Sequence, residues 1–217
     1  FIQSISAGVD QYARDQLQKR GIRLASAQGA NERAVAEHAM ALILALTRHI
    51  PSARDNQARR HWRPMISDLA RREDELGGKT LLIVGLGRIG QRLAHLAKAF
   101  DMRVVGLRRD PSAGGGAADA VHATGKLHDL LPEADIVALT CPLNAETADI
   151  IDARALAAMK PSALLVNVAR GRCVDEDALV AALNDRRLAA AALDCVREEP
   201  LPGSSPLWAM ENVLITP

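Results

Sequence analysis

Thr80-Leu81-Leu82-Ile83-Val84-Gly85-Leu86-Gly87-Arg88-Ile89-Gly90 is the stretch that decides the fold of this chain of 217 residues. Its apolar run, residues 81–84, predicts a strand buried on both faces, as in parallel sheets covered by helices. Gly85, Gly87 and Gly90 allow a tight turn, a close approach of backbone N–H groups to a pyrophosphate, and close packing of a helix on the strand. In this strand–turn–helix context the stretch predicts a dinucleotide-binding domain. A tight turn that binds nothing is the alternative.

Basic residues stand where the second strand of such a domain ends. An acidic residue is expected there, roughly 20 residues after the glycines, because a carboxylate binds the ribose hydroxyls of the cofactor. Here the strand predicted over residues 103–107 runs into Arg108 and Arg109, whose guanidinium groups can bind a 2′-phosphate through paired hydrogen bonds. We therefore expect NADP(H) as the cofactor rather than NAD(H). Alternatively, Asp110 binds the ribose and both arginines are solvated.

Strands and helices alternate along the rest of the chain. This alternation predicts an α/β fold of the Rossmann type, with a doubly wound parallel sheet and helices on both faces, over residues 30–217. The helix after the glycine turn carries its apolar face at Ile89, Leu93, Leu96, Ala97 and Phe100. Further strands are expected over 136–139, 163–168, 189–193 and 213–215, and further helices over 126–131, 152–159 and 175–184.

The first 29 residues predict two short strands around a brief helix that ends near Gly21. A long helix then follows from Asn31, as its N-cap, to Arg48. This helix is apolar almost all round, so it must be buried on several sides, and a subunit interface would achieve that. We expect a homodimer. Pro51 is expected to begin another helix, and Trp62 is a candidate anchor.

Composition limits the partners and the compartment. The chain is 48% hydrophobic and 24% charged with a formal net charge of +1, which gives no reason to expect nucleic acid or an acidic membrane as a partner. It contains no uninterrupted apolar run of about 20 residues that could span a bilayer. Cys141, Cys173 and Cys195 form no CxxC pair and no histidine cluster, so we expect neither a disulfide framework nor a metal site. Reduced thiols and a cytoplasmic location fit this pattern better.

Several segments together resemble the D-isomer-specific 2-hydroxyacid dehydrogenases, the family that includes glyoxylate/hydroxypyruvate reductases and phosphoglycerate dehydrogenases. The resemblance covers nearly the whole chain in the expected order, so it is more specific than any single motif. It rests on Ser6-Ala7-Gly8-Val9-Asp10, Val35-Ala36-Glu37-His38, Gly85-Leu86-Gly87-Arg88-Ile89-Gly90, Cys141-Pro142-Leu143-Asn144, Asn167-Val168-Ala169-Arg170-Gly171, Asp194 and Glu198-Glu199-Pro200-Leu201-Pro202.

The resemblance assigns a role to each catalytic and substrate-binding position. Arg170 would bind the substrate carboxylate and polarise the keto oxygen, with a solvated loop arginine as the alternative. Gly8 and the amide of Ala7 would clamp the same carboxylate, unless Gly8 is a plain turn residue. Asp194 would accept a hydrogen bond from the nicotinamide carboxamide, unless it is a helix N-cap. Glu199 would orient the catalytic histidine.

The resemblance also implies the surroundings of a nicotinamide cofactor. Cys141 and Pro142 would line its adenosine side, and a nucleophilic role for Cys141 is not expected because no motif places a histidine beside it. The cofactor-binding residues are expected to be Gly85, Gly87, Arg88, Ile89, Gly90, Arg108, Arg109, Cys141, Pro142, Val168, Ala169 and Asp194.

The catalytic histidine of the family falls directly after the position of Pro217, and the family also carries a substrate-domain segment before the position of Phe1. The resemblance therefore implies that residues 1–29 are a remnant of a second, substrate-binding domain and that residues 30–217 are the dinucleotide-binding domain. The six histidines present, His38 among them, are predicted to be surface or capping residues. The expected activity is hydride transfer between NADP(H) and a small 2-keto or 2-hydroxy acid, specific for the D-isomer. An NAD(P)-sensing, corepressor-like binding protein of the same fold is the alternative, and phosphite or formate oxidation is a third possibility.

Overall fold

The computed structural model describes residues 1–6, 8–68 and 72–216. Its N-terminal segment has a small parallel sheet of its own, formed by β1 (Ile2–Gln3) and β2 (Leu24–Ala25), with the helix α1 (Arg14–Lys19) between them. These strands do not join the main sheet. The assignment of residues 1–29 to a second domain stays a prediction.

In the described ranges, seven parallel strands form the main sheet, in the spatial order β5-β4-β3-β6-β7-β8-β9. The chain runs outward from β3 to β5, returns to the other side of β3 at β6, and then runs outward again. This reversal defines a doubly wound sheet. The strands are β3 (Thr80–Val84), β4 (Arg103–Arg108), β5 (Ala120–Ala123), β6 (Ile136–Leu139), β7 (Leu164–Asn167), β8 (Ala190–Leu193) and β9 (Val213–Ile215).

Helices cover both faces of the sheet, as the sequence predicts. The bounds of the remaining helices are α2 (Glu32–Thr47), α3 (Ile50–Ala58), α4 (Arg88–Lys98), α5 (Leu127–Leu130), α6 (Ala153–Ala158) and α7 (Glu176–Asn184). One core lies between the sheet and the pair α2 and α4, and it contains Ile43, Leu81 and Leu93. The other lies beneath α5, α6 and α7, and it contains Leu82, Leu156 and Leu179. Alternate residues of β3 therefore enter opposite cores, which is why its apolar run is continuous.

The long apolar helix α2 is largely covered within the chain. It packs against α4 and against the strands β7 and β8. Its fully buried side chains include Ala36, Ala39 and Ile43. Much of the apolar surface that suggested a subunit interface is therefore used in this internal packing. Asn31 occupies the N-cap position, but its side chain makes no capping hydrogen bond.

Three local predictions need correction. Residues 120–123 form a strand that the sequence did not predict, because this edge strand is short and only half-buried. Phe100 lies beyond the end of α4 and is 38% exposed, so it does not belong to the buried helical face. Trp62 is 95% exposed and therefore anchors nothing within the described part of this chain. Pro51 does stand in the first turn of α3, as expected.

Candidate functional site

The candidate site lies at the carboxyl ends of the central strands, where the strand order reverses between β3 and β6. Loops from neighbouring parallel strands diverge at such a point and leave a crevice that binds ligands in doubly wound folds. Gly85 follows β3 and Cys141 comes two residues after β6, so both lie at this point.

Gly85 makes the turn out of β3. Its φ of 101° lies in the left-handed region, and a Cβ there would lie 2.5 Å from the Cα of Cys141. Both the conformation and the close approach of the two loops therefore require glycine. At the other end of the turn, a Cβ on Gly90 would lie 2.6 Å from the carbonyl oxygen of Gly85, so Gly90 lets α4 pack closely on the turn.

Gly87 is different, because packing within the protein does not explain it. A Cβ on Gly87 would meet no atom of the described residues within 4 Å. It is the N-cap of α4, whose backbone ladder begins with the bond from Gln91 N–H to the Gly87 carbonyl oxygen at 2.8 Å. The preceding amides, of Arg88, Ile89 and Gly90, lie at the positive end of the helix. Open space beside free amide donors fits a bound pyrophosphate.

The side chains of Arg88 and Ile89 point away from this open space. Arg88 Nε lies 3.2 Å from Glu32 Oε2 at the start of α2. Ile89 is half-buried and packs against the core beneath α2 and α4. Their contribution to a phosphate site would therefore come from their backbone amides.

Arg108 is the last residue of β4, and Arg109 and Asp110 follow it, on the side of the crevice expected for adenosine. Arg108 Nη1 donates to the carbonyl oxygens of Ala113, at 3.2 Å, and of Gly114. These bonds fix the guanidinium beside the loop. Arg109 Nε is 3.7 Å from Glu146 Oε2, and both side chains are largely exposed.

Asp110 is engaged in local structure through one of its carboxylate oxygens. This oxygen accepts hydrogen bonds from the side chain and the backbone N–H of Ser112, and Asp110 thereby caps the short 3-10 helix Pro111–Ala113. The Ser112 side chain is the main reason why the pKa of Asp110 is held below its ordinary value. Its other carboxylate oxygen accepts no hydrogen bond from any described residue and remains an acceptor for a ribose hydroxyl.

Arg170 faces the N-terminal segment from the loop after β7. Its Nε lies 3.2 Å and 3.3 Å from the two carboxylate oxygens of Asp10, and its Nη1 donates to the Ala169 carbonyl oxygen at 2.7 Å. A side chain on Gly8 would overlap the Nη2 end of the guanidinium, so Gly8 must be glycine for this contact to form. Arg170 and Gly8 therefore meet, and their shared role in binding a carboxylate stays a prediction. Ala7 lies outside the described residues, so its predicted role stays untested.

Asn167 builds the loop that carries Arg170, a role that sequence reasoning did not assign. Its side chain is buried, accepts a hydrogen bond from Ala169 N–H and donates one to the carbonyl oxygen of Arg170, each at 3.0 Å. Val168 N–H donates to the Leu139 carbonyl oxygen at 3.3 Å, which ties this loop to the end of β6. The signal was present in the quoted motif, because a polar residue that ends a buried strand must find partners.

Asp194 directly follows β8 and makes a contact that the sequence did not predict. Its Oδ1 lies 3.0 Å from His38 Nε2 and 3.3 Å from Thr216 Oγ1. The prediction that His38 is merely a surface or capping residue is therefore wrong. It failed because His38 and Asp194 are brought together only by the packing of α2 on the sheet.

Glu199 lies on an exposed segment after β8. Its Oε1 accepts a hydrogen bond from Val196 N–H at 3.2 Å. Glu198 beside it is also exposed. The backbone of Val196 packs tightly on the Arg170 loop, since a Cβ on Gly171 would overlap the Val196 carbonyl group. The hydrogen bond to Val196 therefore holds Glu199 beside a residue that contacts the loop carrying Arg170.

The cysteines far apart in the sequence approach one another beneath the crevice. Hydrogen bonding to Cys173, together with burial, raises the pKa of the Cys141 thiol. Burial raises the pKa of Cys195 to about 12. A thiol that stays protonated is a weak nucleophile. Pro142, next to Cys141, accepts a hydrogen bond from Thr147 Oγ1 at 2.6 Å, and this bond shapes the loop after β6.

Two further findings concern the part of the chain that the structure describes. It contains no group of three or more histidine, cysteine or acidic residues arranged to hold a metal ion. Among the same residues, no helix combines the length and the apolar character needed to cross a membrane.

Comparisons with known proteins agree with this geometry. The family description "D-isomer specific 2-hydroxyacid dehydrogenase, NAD binding domain" matches residues 40–217. The D-3-phosphoglycerate dehydrogenase of Synechocystis sp. is 39% identical over 213 residues, which are 97% of this chain and 37% of that protein. The glyoxylate reductase of Aeropyrum pernix is 38% identical over 229 residues, covering 100% of this chain and 65% of that protein.

A solved structure is similar over nearly the whole chain. The NADPH-dependent glyoxylate/hydroxypyruvate reductase of Sinorhizobium meliloti, solved with NADP and malonate, has a TM-score of 0.86 and 30% sequence identity. The match covers 99% of this chain and 66% of that one. The chain has the glycine turn and the doubly wound sheet, and the family description matches most of its length. It therefore belongs to the D-isomer specific 2-hydroxyacid dehydrogenase family. It spans between 37% and 65% of the length of the two relatives described above.

Proposed function

We propose that this chain is the dinucleotide-binding domain, with part of the substrate-binding domain, of an NADPH-dependent reductase. Its substrates would be small 2-keto acids, reduced to D-2-hydroxy acids. NADH is the second candidate for the cofactor. The proposal goes beyond family membership, because relatives with similar identity are named for phosphoglycerate and for glyoxylate.

The observation that carries the proposal is the placement of three groups at one edge of the sheet. The open space at Gly87 follows β3, the Arg170 loop follows β7, and Asp194 follows β8. Parallel strands end on the same side, so an extended dinucleotide lying across this edge could reach all three groups. A phosphate-binding turn alone would not imply reduction. A cation and a carboxylate on the same edge supply the means to orient a substrate and a nicotinamide.

The roles of the residues follow from their chemistry. The nicotinamide, when bound, supplies the hydride that adds to the keto carbon. Arg170 binds the substrate carboxylate and donates to the keto oxygen, and this interaction strengthens as that oxygen gains negative charge. Gly8 leaves room for the guanidinium. Asp194 accepts a hydrogen bond from the carboxamide and thereby selects the ring face that meets the substrate.

Glu199 has a supporting role in the proposal. The resemblance places a histidine directly after Pro217, and this histidine would donate the proton to the substrate oxygen. The Glu199 carboxylate would accept a hydrogen bond from its ring and orient it. Pro217 lies outside the described residues, so the test of this role requires the full-length protein.

The choice of NADPH has two lines of support. Arg108 and Arg109 stand where an acidic residue would repel a 2′-phosphate. The similar structure from Sinorhizobium meliloti is named NADPH-dependent and was solved with NADP.

The experiment is a panel of 2-keto acids, including glyoxylate and hydroxypyruvate, assayed on the full-length protein with NADPH and with NADH. Replacing Arg170 by Ala should lower kcat/KM at least about a hundredfold while NADPH binding persists. Arg172→Ala is the matched control, because Arg172 lies exposed in the same loop and should retain wild-type turnover. Binding of NADPH with no turnover of any 2-keto acid would instead favour the sensor function.

We also propose that the protein is a homodimer. Three of the large apolar side chains that are exposed in the described part of the chain lie in and after α3, where Ile50 is 55%, Trp62 95% and Met65 84% exposed. Large apolar groups clustered in one segment are typical of an interface. Trp62→Lys should shift the protein toward monomer in sedimentation, whereas Trp208→Lys should not, since the Trp208 indole already bonds to Pro202. A wild-type protein that sediments only as a monomer would contradict the proposal.

A further inference from the structure

Three side chains from different elements form a closed triangle at the end of β8. His38 of α2 places Nε2 at 3.0 Å from Asp194 Oδ1 and at 2.9 Å from Thr216 Oγ1. Thr216, directly after β9, donates from Oγ1 to the same Asp194 oxygen at 3.3 Å. The three residues are joined only by the fold, since His38 and Thr216 are 178 positions apart.

The distances determine where the protons lie. An unprotonated Nε2 at this distance from Asp194 Oδ1 would set two lone pairs against each other, which is repulsive. Nε2 therefore carries a hydrogen and donates to the carboxylate. Thr216 can then donate its hydroxyl hydrogen to the same oxygen while its own lone pairs face His38. All three contacts are favourable in this arrangement.

The triangle is one-sided with respect to Asp194. Both donors bind Oδ1, whereas Oδ2 receives no hydrogen bond from any described residue. The Asp194 backbone is fixed as well, because its N–H donates to the Asn167 carbonyl oxygen at 2.9 Å. A carboxylate held through its backbone and one oxygen has little freedom to rotate. Its second oxygen is therefore left as an acceptor in a defined direction.

We infer that His38 and Thr216 are positioning residues that hold the Asp194 carboxylate so that Oδ2 accepts the hydrogen bond of the nicotinamide carboxamide. This inference rests on the proposed function, in which Asp194 contacts that group. It assigns to α2, which otherwise contributes to the core, an effect on cofactor orientation that acts through Asp194. Neither His38 nor Thr216 would touch the reacting atoms.

A purely structural role is the competing explanation. His38 and Asp194 are each only about one-third exposed at the side chain, at 37% and 35%. Their bond could therefore simply attach α2 to the sheet. The two roles differ in what a substitution changes. A structural bond affects stability and all ligands equally, whereas a positioning bond affects only ligands that carry the nicotinamide.

The experiment compares two ligands on the full-length protein. NADPH contains the carboxamide, and 2′-phospho-ADP-ribose lacks the nicotinamide. In His38→Phe, which keeps a ring but removes the N–H donor, NADPH should bind about tenfold more weakly. The affinity for 2′-phospho-ADP-ribose should be unchanged. His38→Gln restores an N–H donor and should recover most of the NADPH affinity. Thr216→Val should show a smaller loss, in the same direction, than His38→Phe.

A double-mutant cycle tests whether His38 acts through Asp194. In an Asp194→Ala background, His38→Phe should cause no further loss of NADPH affinity, because the group that it positions is absent. His95→Phe is the matched control, since His95 is exposed on the outer side of α4. This variant should bind both ligands like the wild type.

The results that would overturn the positioning role differ from those that would overturn the proposed function. Equal losses for both ligands, or additive effects of His38→Phe and Asp194→Ala, would overturn the positioning role while leaving the proposed function intact. A wild-type protein that turns over no 2-keto acid would overturn the proposed function. The ligand comparison would still report on His38, because it measures binding rather than turnover.

Discussion

Arg170 and Asp10 form an ion pair across the base of the candidate substrate site, with Nε 3.2 Å from Oδ1 and 3.3 Å from Oδ2. The pair joins the N-terminal segment to the loop after β7, 160 positions away. Asp10 contacts Nε, the Ala169 carbonyl oxygen contacts Nη1, and Nη2 lies against Gly8, so the guanidinium is held on all three nitrogens. Asp10 thus orients the cation that the proposed chemistry requires.

Replacing Asp10 by Ala should raise KM for a 2-keto acid about two- to fivefold and lower kcat less, since a partly exposed ion pair contributes at most about 1 kcal/mol. The reason is that Arg170 loses its fixed orientation but keeps its charge. Steady-state kinetics at saturating NADPH would measure the effect. Asp15→Ala, an exposed acidic residue of α1, is the control. A fall in KM would show that Asp10 competes with the substrate instead.

Gly87→Val should weaken NADPH binding by more than about tenfold, or 1.4 kcal/mol, with little change in stability. Its side chain would fill the open space at the start of α4, and the backbone there is extended, so valine is tolerated by the fold. Fluorescence titration with NADPH and a thermal melt would separate the two effects.

Gly77→Ala provides the matched control for that glycine. It also adds a side chain that would meet nothing within 4 Å, but it lies before β3, away from the crevice. Unaltered binding by Gly87→Val would place the pyrophosphate elsewhere.

Arg108→Asp should move cofactor preference toward NADH. The kcat/KM value with NADH, divided by that with NADPH, should rise at least about tenfold. A charge-assisted hydrogen bond to phosphate contributes about 1.5–3 kcal/mol, and the new carboxylate would also repel the 2′-phosphate. Arg154→Asp on α6 introduces the same charge change outside the crevice and should leave the ratio unaffected. If both variants keep the wild-type preference, Arg108 does not select the cofactor.

Asn167→Ala should lower the free energy of unfolding by about 1–3 kcal/mol, because it leaves buried backbone groups of the Arg170 loop without partners. Turnover should fall with it, since Arg170 would lose its support. Urea denaturation measures the first effect. Asn184→Ala, at the exposed end of α7, should change stability by less than about 0.5 kcal/mol. A stable and fully active Asn167→Ala variant would remove Asn167 from the site.

Local sequence patterns predicted most of the fold. They did not predict the contacts within the site, because those contacts depend on tertiary packing. The run 81–84 and the glycines after it were sufficient to predict β3, the turn and α4, because turn, strand and helix signals act over a few residues. The four strands from β6 to β9 were predicted to within one residue at each end for the same reason. The edge strand β5 was missed, because its half-buried residues carry little periodic signal.

Partnerships between distant side chains could not be predicted in this way. His38 meets Asp194, and Asp10 meets Arg170, only because α2 and the N-terminal segment pack beside the sheet. The family resemblance supplied the positions of Asp194 and Arg170. It did not supply the partners that hold them, since those depend on tertiary packing and not on spacing along the chain.

A crystal structure of the full-length protein with NADPH bound would test the proposed arrangement most directly. We predict hydrogen bonds from the backbone amides of Arg88–Gly90 to the pyrophosphate, with the carboxamide on Asp194 Oδ2 and the nicotinamide ring beside Arg170. A cofactor bound away from the Gly87 turn, or a ring out of reach of Arg170, would contradict it.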